Sequence, residues 1–190
     1  INRNKSWVYY GLKCTSFTIR DYYIYIPLLL MALLPIVVGF SSLFTWIDVL
    51  YLIIFMAMVA FVEEAIFRGI IFKLLQKKSH WMAILGSSIL FSIPHLINAL
   101  NGKEISQTLF QIFFALLMGV ILALLIIKTH QILPLIIYHF INNMMSSLAN
   151  TYVDASMNLI LNVVAISLGL IYLIYLYFST NESIYKSVSD

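Results

Sequence analysis

Long apolar segments dominate this sequence and constrain its fold more than any other feature. About six of them approach the roughly 20 residues that an α-helix needs to cross a bilayer. They lie at about 22–44, 49–75, 81–98, 107–127, 132–149 and 156–178. The chain is 62% hydrophobic and 10% charged, whereas a soluble domain is about half apolar and about a quarter charged. Because lipid cannot satisfy open backbone groups, we predict an all-α, polytopic transmembrane helix bundle of about six spans.

Residues 1–190 are predicted to form a single membrane-embedded domain, because no repeat, low-complexity tract or long linker separates the segments. Pro35 should kink the first helix, and Pro94 should bend or break the third one residue before His95. The fifth segment is polar in its second half, so it needs neighbouring helices around it. Small residues within the spans are expected at helix contacts; they include Gly86, Ser87, Ser88 and Gly119.

Lysine and arginine residues are distributed unevenly between the two sides of the predicted bundle. Six spans place nine of them on one side: Arg3, Lys5, Lys13, Arg20, Lys73, Lys77, Lys78, Lys128 and Lys186. Lys103 stands alone on the other side. Because cytoplasmic loops are enriched in such residues, we expect both termini in the cytoplasm. The net charge of +3 is too small to indicate a nucleic-acid partner, and a single cysteine, Cys14, excludes an intrachain disulfide.

Three charged side chains interrupt the second apolar segment, in the stretch FVEEAIFRG at 61–69. An ionised residue at the middle of a membrane costs about 2.5–3.5 kcal/mol, so Glu63, Glu64 and Arg68 require polar partners or water. Glu64 and Arg68 are four apart, share a helix face and can form an ion pair. Glu63 points about 100° away. The trio is therefore either a buried ion network that holds the bundle together or a pair that supports a reactive Glu63.

The third and fifth segments carry polar side chains that complement these glutamates. The third contains FSIPH, with Phe91 one turn before His95. The fifth contains HFINN, which puts His139 and Asn143 on one helix face. A carboxylate and a histidine can activate water, while a second histidine and an asparagine can donate hydrogen bonds to an oxyanion. The set therefore indicates a hydrolase without a protein nucleophile. The chain has no HExxH helix, which speaks against a zinc protease of that type.

Together the motifs resemble those of the CAAX-protease and bacteriocin-processing family (CPBP, also called Abi) of intramembrane endopeptidases. EExxxR begins at Glu63, FxxxH at Phe91 and HxxxN at His139, in this order and on three separate spans. The motifs cover 63–143, so the likeness includes the family's four-helix catalytic core. This core corresponds to a motif-bearing region of about 49–149.

The resemblance implies a role for each motif residue. Glu63 and His95 would activate the attacking water, and His139 and Asn143 would form the oxyanion site. The supporting positions would be Glu64, Arg68 and Phe91. No cofactor is required by these roles. A zinc ion held by Glu63, His95 and His139 is the alternative.

Substrate and location are also implied by the resemblance. Eukaryotic members are glutamate-dependent proteases that remove the last three residues after a prenylated cysteine. A short chain with compact loops suggests a bacterial member in the cytoplasmic membrane, where relatives are linked to peptide pheromone maturation, bacteriocin processing and self-immunity. We expect a hydrophobic or lipidated peptide that enters laterally from the lipid bilayer.

Two readings without proteolysis compete with this one. In the first of these readings the chain is a non-catalytic immunity or scaffold protein that uses the polar core for binding. In the second it is a proton-coupled transporter. Loss of Glu63, His95 or His139 would have favoured the first, and all three are present. Transporters commonly show repeated halves with broken helices, whereas this chain has only the Pro94 break.

Overall fold

A computed structural model of the chain describes residues 19–150 and 152–189, with side chains for 22–150 and 152–180. Within these ranges every regular element is a helix. The one β-type pairing found there is an isolated bridge between Phe40 and Ala149. The predicted all-α class is therefore confirmed. Several side chains used above lie outside the described ones: Arg3, Lys5, Lys13, Cys14, Arg20 and Lys186.

Eight α-helices follow one another along the described chain. They are α1 Ile26–Leu33, α2 Trp46–Glu64, α3 Phe72–Gln76, α4 His80–Ser92, α5 Ile97–Leu100, α6 Ile105–Thr129, α7 Leu133–Leu148 and α8 Ala155–Ser189. Three 3-10 turns lie at Ile19–Tyr25, Leu34–Val38 and Ile93–Leu96, and a π-helical segment lies at Ala65–Ile71. Four stretches are long and apolar enough to cross a membrane: Trp46–Gln76, His80–Leu100, Ile105–Thr129 and Ala155–Thr180.

The other two predicted spans, 22–44 and 132–149, are helical but shorter than expected. The apolar helical stretch Tyr22–Val38 tightens into a 3-10 turn around Pro35, which cannot donate a backbone hydrogen bond. It ends at Gly39, whose φ of 74° stops the helix. Helix α7 has 16 residues, about 24 Å, which is less than the bilayer core of about 30 Å. The expectation of about six spans is thus confirmed by length for four segments only.

The described chain divides into two compact units, and the first comprises Ile1–Glu64 and Gln131–Leu168. In this unit α7 packs against both α1 and α2. The backbone N–H of Ser41 donates to the carbonyl of Leu148 at 2.9 Å. These contacts hold the helix that carries the HxxxN motif beside the helix that ends in the two glutamates. The assignment of 1–190 to one domain stays a prediction.

The second unit comprises Ala65–His130 and Gly169–Asp190. Here α4 packs against α6 and α3. Helices α4 and α6 meet closely at Ser88 and Gly119, since a Cβ built on Gly119 would lie 2.9 Å from the Cβ of Ser88. The expectation that small residues mediate helix contacts is confirmed at this pair.

Candidate active site

The two glutamates of the first motif end α2, where the helix widens into the π-helical segment Ala65–Ile71. Neighbouring residues on an α-helix point about 100° apart, so the carboxylates occupy different environments. The side chain of Glu64 is fully buried, whereas that of Glu63 is 33% exposed. One glutamate is therefore enclosed, and the other is partly exposed.

His139 of α7 lies against both carboxylates. Its Nδ1 is 3.0 Å from Oε1 of Glu64, and its Nε2 is 3.5 Å from Oε2 of Glu63. A carboxylate only accepts hydrogen bonds, so the shorter contact is an Nδ1–H of His139 donating to Glu64. A carboxylate partner on one ring nitrogen fixes the orientation of the imidazole, which here directs Nε2 toward Glu63.

Asn143 follows His139 by one turn of α7. Four residues on an α-helix return to within about 40° of the starting direction, and the uninterrupted helix Leu133–Leu148 therefore keeps the two side chains on one face. Asn143 is half-buried.

Arg68 lies in the π-helical segment and is almost completely buried. Its guanidinium carbon is 4.0 Å from the centre of the Phe91 ring. Phe67 packs edge-on against the same ring, with 5.4 Å between the ring centres. A desolvated cation–π contact contributes about 2 kcal/mol, so Phe91 of the second motif stabilises the arginine of the first. The ion pair between Glu64 and Arg68 stays a prediction.

His95 lies in the 3-10 turn Ile93–Leu96, directly after Pro94. At this proline the predicted disruption of the third helix is found as a change from α-helix to a 3-10 turn, and the stretch His80–Leu100 stays helical. The imidazole packs edge-on against Phe91, with 5.9 Å between the ring centres. Because His95 lies in this tighter turn, its side chain does not follow the periodicity of α4, whereas Phe91 still lies within that helix.

Gln111 of α6 contacts His95 and was missed by reasoning from the sequence. Its Nε2 is 3.2 Å from Nδ1 of His95. Its Oε1 accepts from Nδ2 of Asn98 and from Nζ of Lys103, each at 2.9 Å. A signal existed, because Gln111 is a polar residue inside a predicted span, which is the criterion that identified the glutamates.

The predicted site residues are distributed over both units. Glu63, Glu64, His139 and Asn143 belong to the first, and Arg68, Phe91 and His95 belong to the second. Across the described residues, no three His, Cys, Asp or Glu side chains gather into a group that could hold a metal ion. Catalytic zinc takes three protein ligands, and the pair of Glu63 and His139 supplies two.

The fold and these side chains define a helical membrane protein with carboxylates and histidines set into its apolar helices. Residues 44–145 match the family model described as Type II CAAX prenyl endopeptidase Rce1-like. Because the match covers more than half of the 190 residues, the chain belongs to this family, and the resemblance seen in the motifs is confirmed. No curated protein and no solved structure matches the chain significantly.

Family membership and the four long apolar helices make the chain an integral membrane protein. At the level of the family it is a CAAX-type intramembrane protease. All three motifs, from Glu63 to Asn143, fall inside the matched segment.

Proposed function

We propose that this protein is an endopeptidase that uses glutamate-activated water to hydrolyse a membrane-associated or lipidated peptide. The observation that carries the proposal is the position of His139, 3.0 Å from Glu64 and 3.5 Å from Glu63. A partly exposed carboxylate thus lies beside a buried imidazole of fixed orientation. Such a pair supports hydrolysis without a protein nucleophile.

Glu63 is the general base in the proposed reaction. Together with His95 it holds the attacking water, and its carboxylate takes one water proton as the oxygen adds to the scissile carbonyl carbon. The carbonyl becomes a tetrahedral oxyanion. The protonated Glu63 then gives its proton to the leaving nitrogen as the C–N bond breaks. Two products are released, and Glu63 returns to its starting state.

His139 and Asn143 stabilise the oxyanion. The amide N–H of Asn143 and an Nε2–H of His139 donate hydrogen bonds to it. Glu64 accepts from Nδ1–H of His139 and holds the ring so that Nε2 faces the reacting groups. A preorganised donor of this kind typically contributes about 10²–10³ in rate.

The substrate in this proposal is a hydrophobic or lipidated peptide. The protein also contacts the lipid bilayer. The family's description as a prenyl endopeptidase supports a lipid-bearing substrate. Large apolar side chains exposed along the spans, such as Leu50, Ile54 and Leu109, support contact with lipid, and the peptide is proposed to enter laterally from it. Peptide pheromone or bacteriocin processing, or self-immunity, in a bacterial cytoplasmic membrane is the physiological role that we propose.

The proposal requires no cofactor. If the enzyme depends on a metal, zinc at Glu63, His95 and His139 is the alternative. The distribution of basic residues supports cytoplasmic termini.

Cleavage of fluorogenic peptides by the purified, membrane-reconstituted protein tests the proposal. Farnesylated and unmodified apolar peptides are compared for wild type, Glu63→Gln and Glu104→Gln, each with and without a strong chelator. Glu104 is an exposed carboxylate and serves as the matched control. We expect the wild type and Glu104→Gln to cleave, with or without chelator, and Glu63→Gln to be inactive but folded.

Normal cleavage by Glu63→Gln would defeat the catalytic assignment. Cleavage that is lost to the chelator and restored by zinc would support the metal alternative. If the wild type cleaves no peptide, the immunity or scaffold reading gains support.

A further inference from the structure

A chain of hydrogen bonds runs from the loop after α5 to the ring of His95. Nζ of Lys103 and Nδ2 of Asn98 each lie 2.9 Å from Oε1 of Gln111. Nε2 of Gln111 lies 3.2 Å from Nδ1 of His95. All four residues belong to the second compact unit, and Gln111 is the link that joins the other three.

The lysine determines which way the Gln111 amide faces. An ammonium group has three donors and no acceptor, so the atom 2.9 Å from Nζ of Lys103 must be the amide oxygen. A flipped amide would set its NH₂ group against the ammonium, and two donors would face each other. The amide nitrogen of Gln111 is thereby directed at His95.

The amide in turn determines the tautomer of His95. Because the NH₂ group of an amide only donates, Nδ1 of His95 must be the acceptor. A neutral imidazole carries one proton, which then lies on Nε2. We infer that Gln111 is a positioning residue that holds His95 as the Nε2–H tautomer, through an amide orientation fixed by Lys103 and Asn98.

This tautomer gives His95 a defined role in the proposed reaction, on which the functional part of the inference rests. A ring with its proton on Nε2, and with Nδ1 occupied by Gln111, can act at Nε2 only as a donor. The water proton passes to Glu63 alone. His95 holds the water or the developing negative charge through its Nε2–H, and it is not a second base.

Gln111→Glu reverses the polarity of the contact with little change in shape. A carboxylate at this position accepts a hydrogen bond from Nδ1–H, which leaves Nε2 of His95 without a proton. Lys103 and Asn98 still have an acceptor, so the local fold is retained. Gln107→Glu is the control for the added charge, since Gln107 lies one turn earlier on α6 and is exposed. Because Gln107 Nε2 donates to Glu104 Oε2 at 3.3 Å, Glu104→Gln is made together with it, so that the pair keeps one donor and one acceptor.

Nitrogen-15 NMR of histidine-labelled protein reads the tautomer directly. The chain has four histidines, and the His95 signals are assigned by their loss in His95→Gln. We expect a protonated Nε2 and an unprotonated Nδ1 in the wild type and in Gln107→Glu, and the reverse in Gln111→Glu. A proton on Nδ1 in the wild type, or an unchanged tautomer in Gln111→Glu, would overturn the assignment.

Kinetics on the same proteins test the consequence for catalysis. We expect Gln111→Glu to lower kcat by about 10²-fold, as expected when one preorganised donor is lost, with KM nearly unchanged. Gln107→Glu should keep wild-type rates. If Gln111→Glu switches the tautomer and retains or raises kcat, His95 is a base and the inferred role is refuted. A wild type with the inferred tautomer but without protease activity would instead refute the proposed function.

Discussion

Replacing Glu64 with glutamine tests what the buried glutamate does for His139. Glutamine has nearly the same shape, and its carbonyl oxygen can still accept from Nδ1–H. What disappears is the negative charge 3.0 Å from the imidazole. We therefore expect a folded protein in which His139 keeps its orientation but loses a charged hydrogen-bond partner.

The size of the effect follows from the difference between two kinds of hydrogen bond. A bond to a charged group contributes about 1.5–3 kcal/mol, and a neutral one about 0.5–1.5 kcal/mol. Because Glu64 is fully buried, solvent screening does not reduce this difference. The contact affects the rate only through what it gains in the transition state; if that gain equals this difference of about 1–2 kcal/mol, its loss lowers kcat/KM by about 5- to 30-fold.

The assay is kcat/KM on the best peptide found for the reconstituted wild type, with thermal unfolding of each variant as the check on folding. Glu104→Gln should match the wild type in both. Glu63→Gln should be far less active than Glu64→Gln, since Glu63 is proposed as the base and Glu64 as a supporting residue. A folded Glu64→Gln with wild-type kcat/KM would refute the role of Glu64 in supporting His139 during the reaction. Complete inactivity, equal to that of Glu63→Gln, would show that the roles of the two glutamates are wrongly divided.

Two further predictions concern packing and orientation. Gly119→Ala should lower the free energy of unfolding by about 1–3 kcal/mol, because the added Cβ meets Ser88 at 2.9 Å; thermal unfolding in detergent measures this, and equal stability would contradict the close contact. Adding Ser88→Gly should restore much of the loss. Glu104→Cys, in a chain with Cys14→Ser, should react with a membrane-impermeant maleimide added outside intact cells; labelling only after permeabilisation would overturn the predicted orientation.

The sequence predicted the long helices well because the bilayer leaves few alternatives to an apolar stretch of about 20 residues. The two shorter segments show the limit of that reasoning. Apolar residues continue past Gly39, yet the helix stops there because the backbone turns to positive φ. Hydropathy measures whether a residue tolerates lipid, and it does not report where the backbone leaves the helical conformation.

The contacts within the candidate site were harder to predict. Spacing along one helix identified Glu64 and Arg68 as possible partners, but Glu64 and His139 are separated by 75 positions. Helical periodicity tells which residues share a face and carries no information about which helix that face meets. The same reason explains why Gln111 was missed, since its partner His95 lies on the preceding apolar segment. The motif resemblance supplied the residues, and only the structure supplied their hydrogen bonds.

Two of the motif residues lie where regular α-helix gives way to another kind of turn. Arg68 is in the π-helical segment, and His95 is in a 3-10 turn. Pro94 made the second break predictable, whereas no proline marks the first. In a π turn more residues complete each revolution, so every residue advances by less than 100°. The four-residue offset from Glu64 to Arg68 therefore does not have the angle of an ideal α-helix.

Side-chain contacts hold the motif residues at both irregular turns of the second unit. The Arg68 guanidinium lies 4.0 Å from the Phe91 ring centre, and His95 is held by Gln111 at 3.2 Å. Phe91 sits between them in sequence and contacts both side chains. The FxxxH motif is thus explained by two physical demands, since its phenylalanine supports the arginine of the first motif and packs against its own histidine.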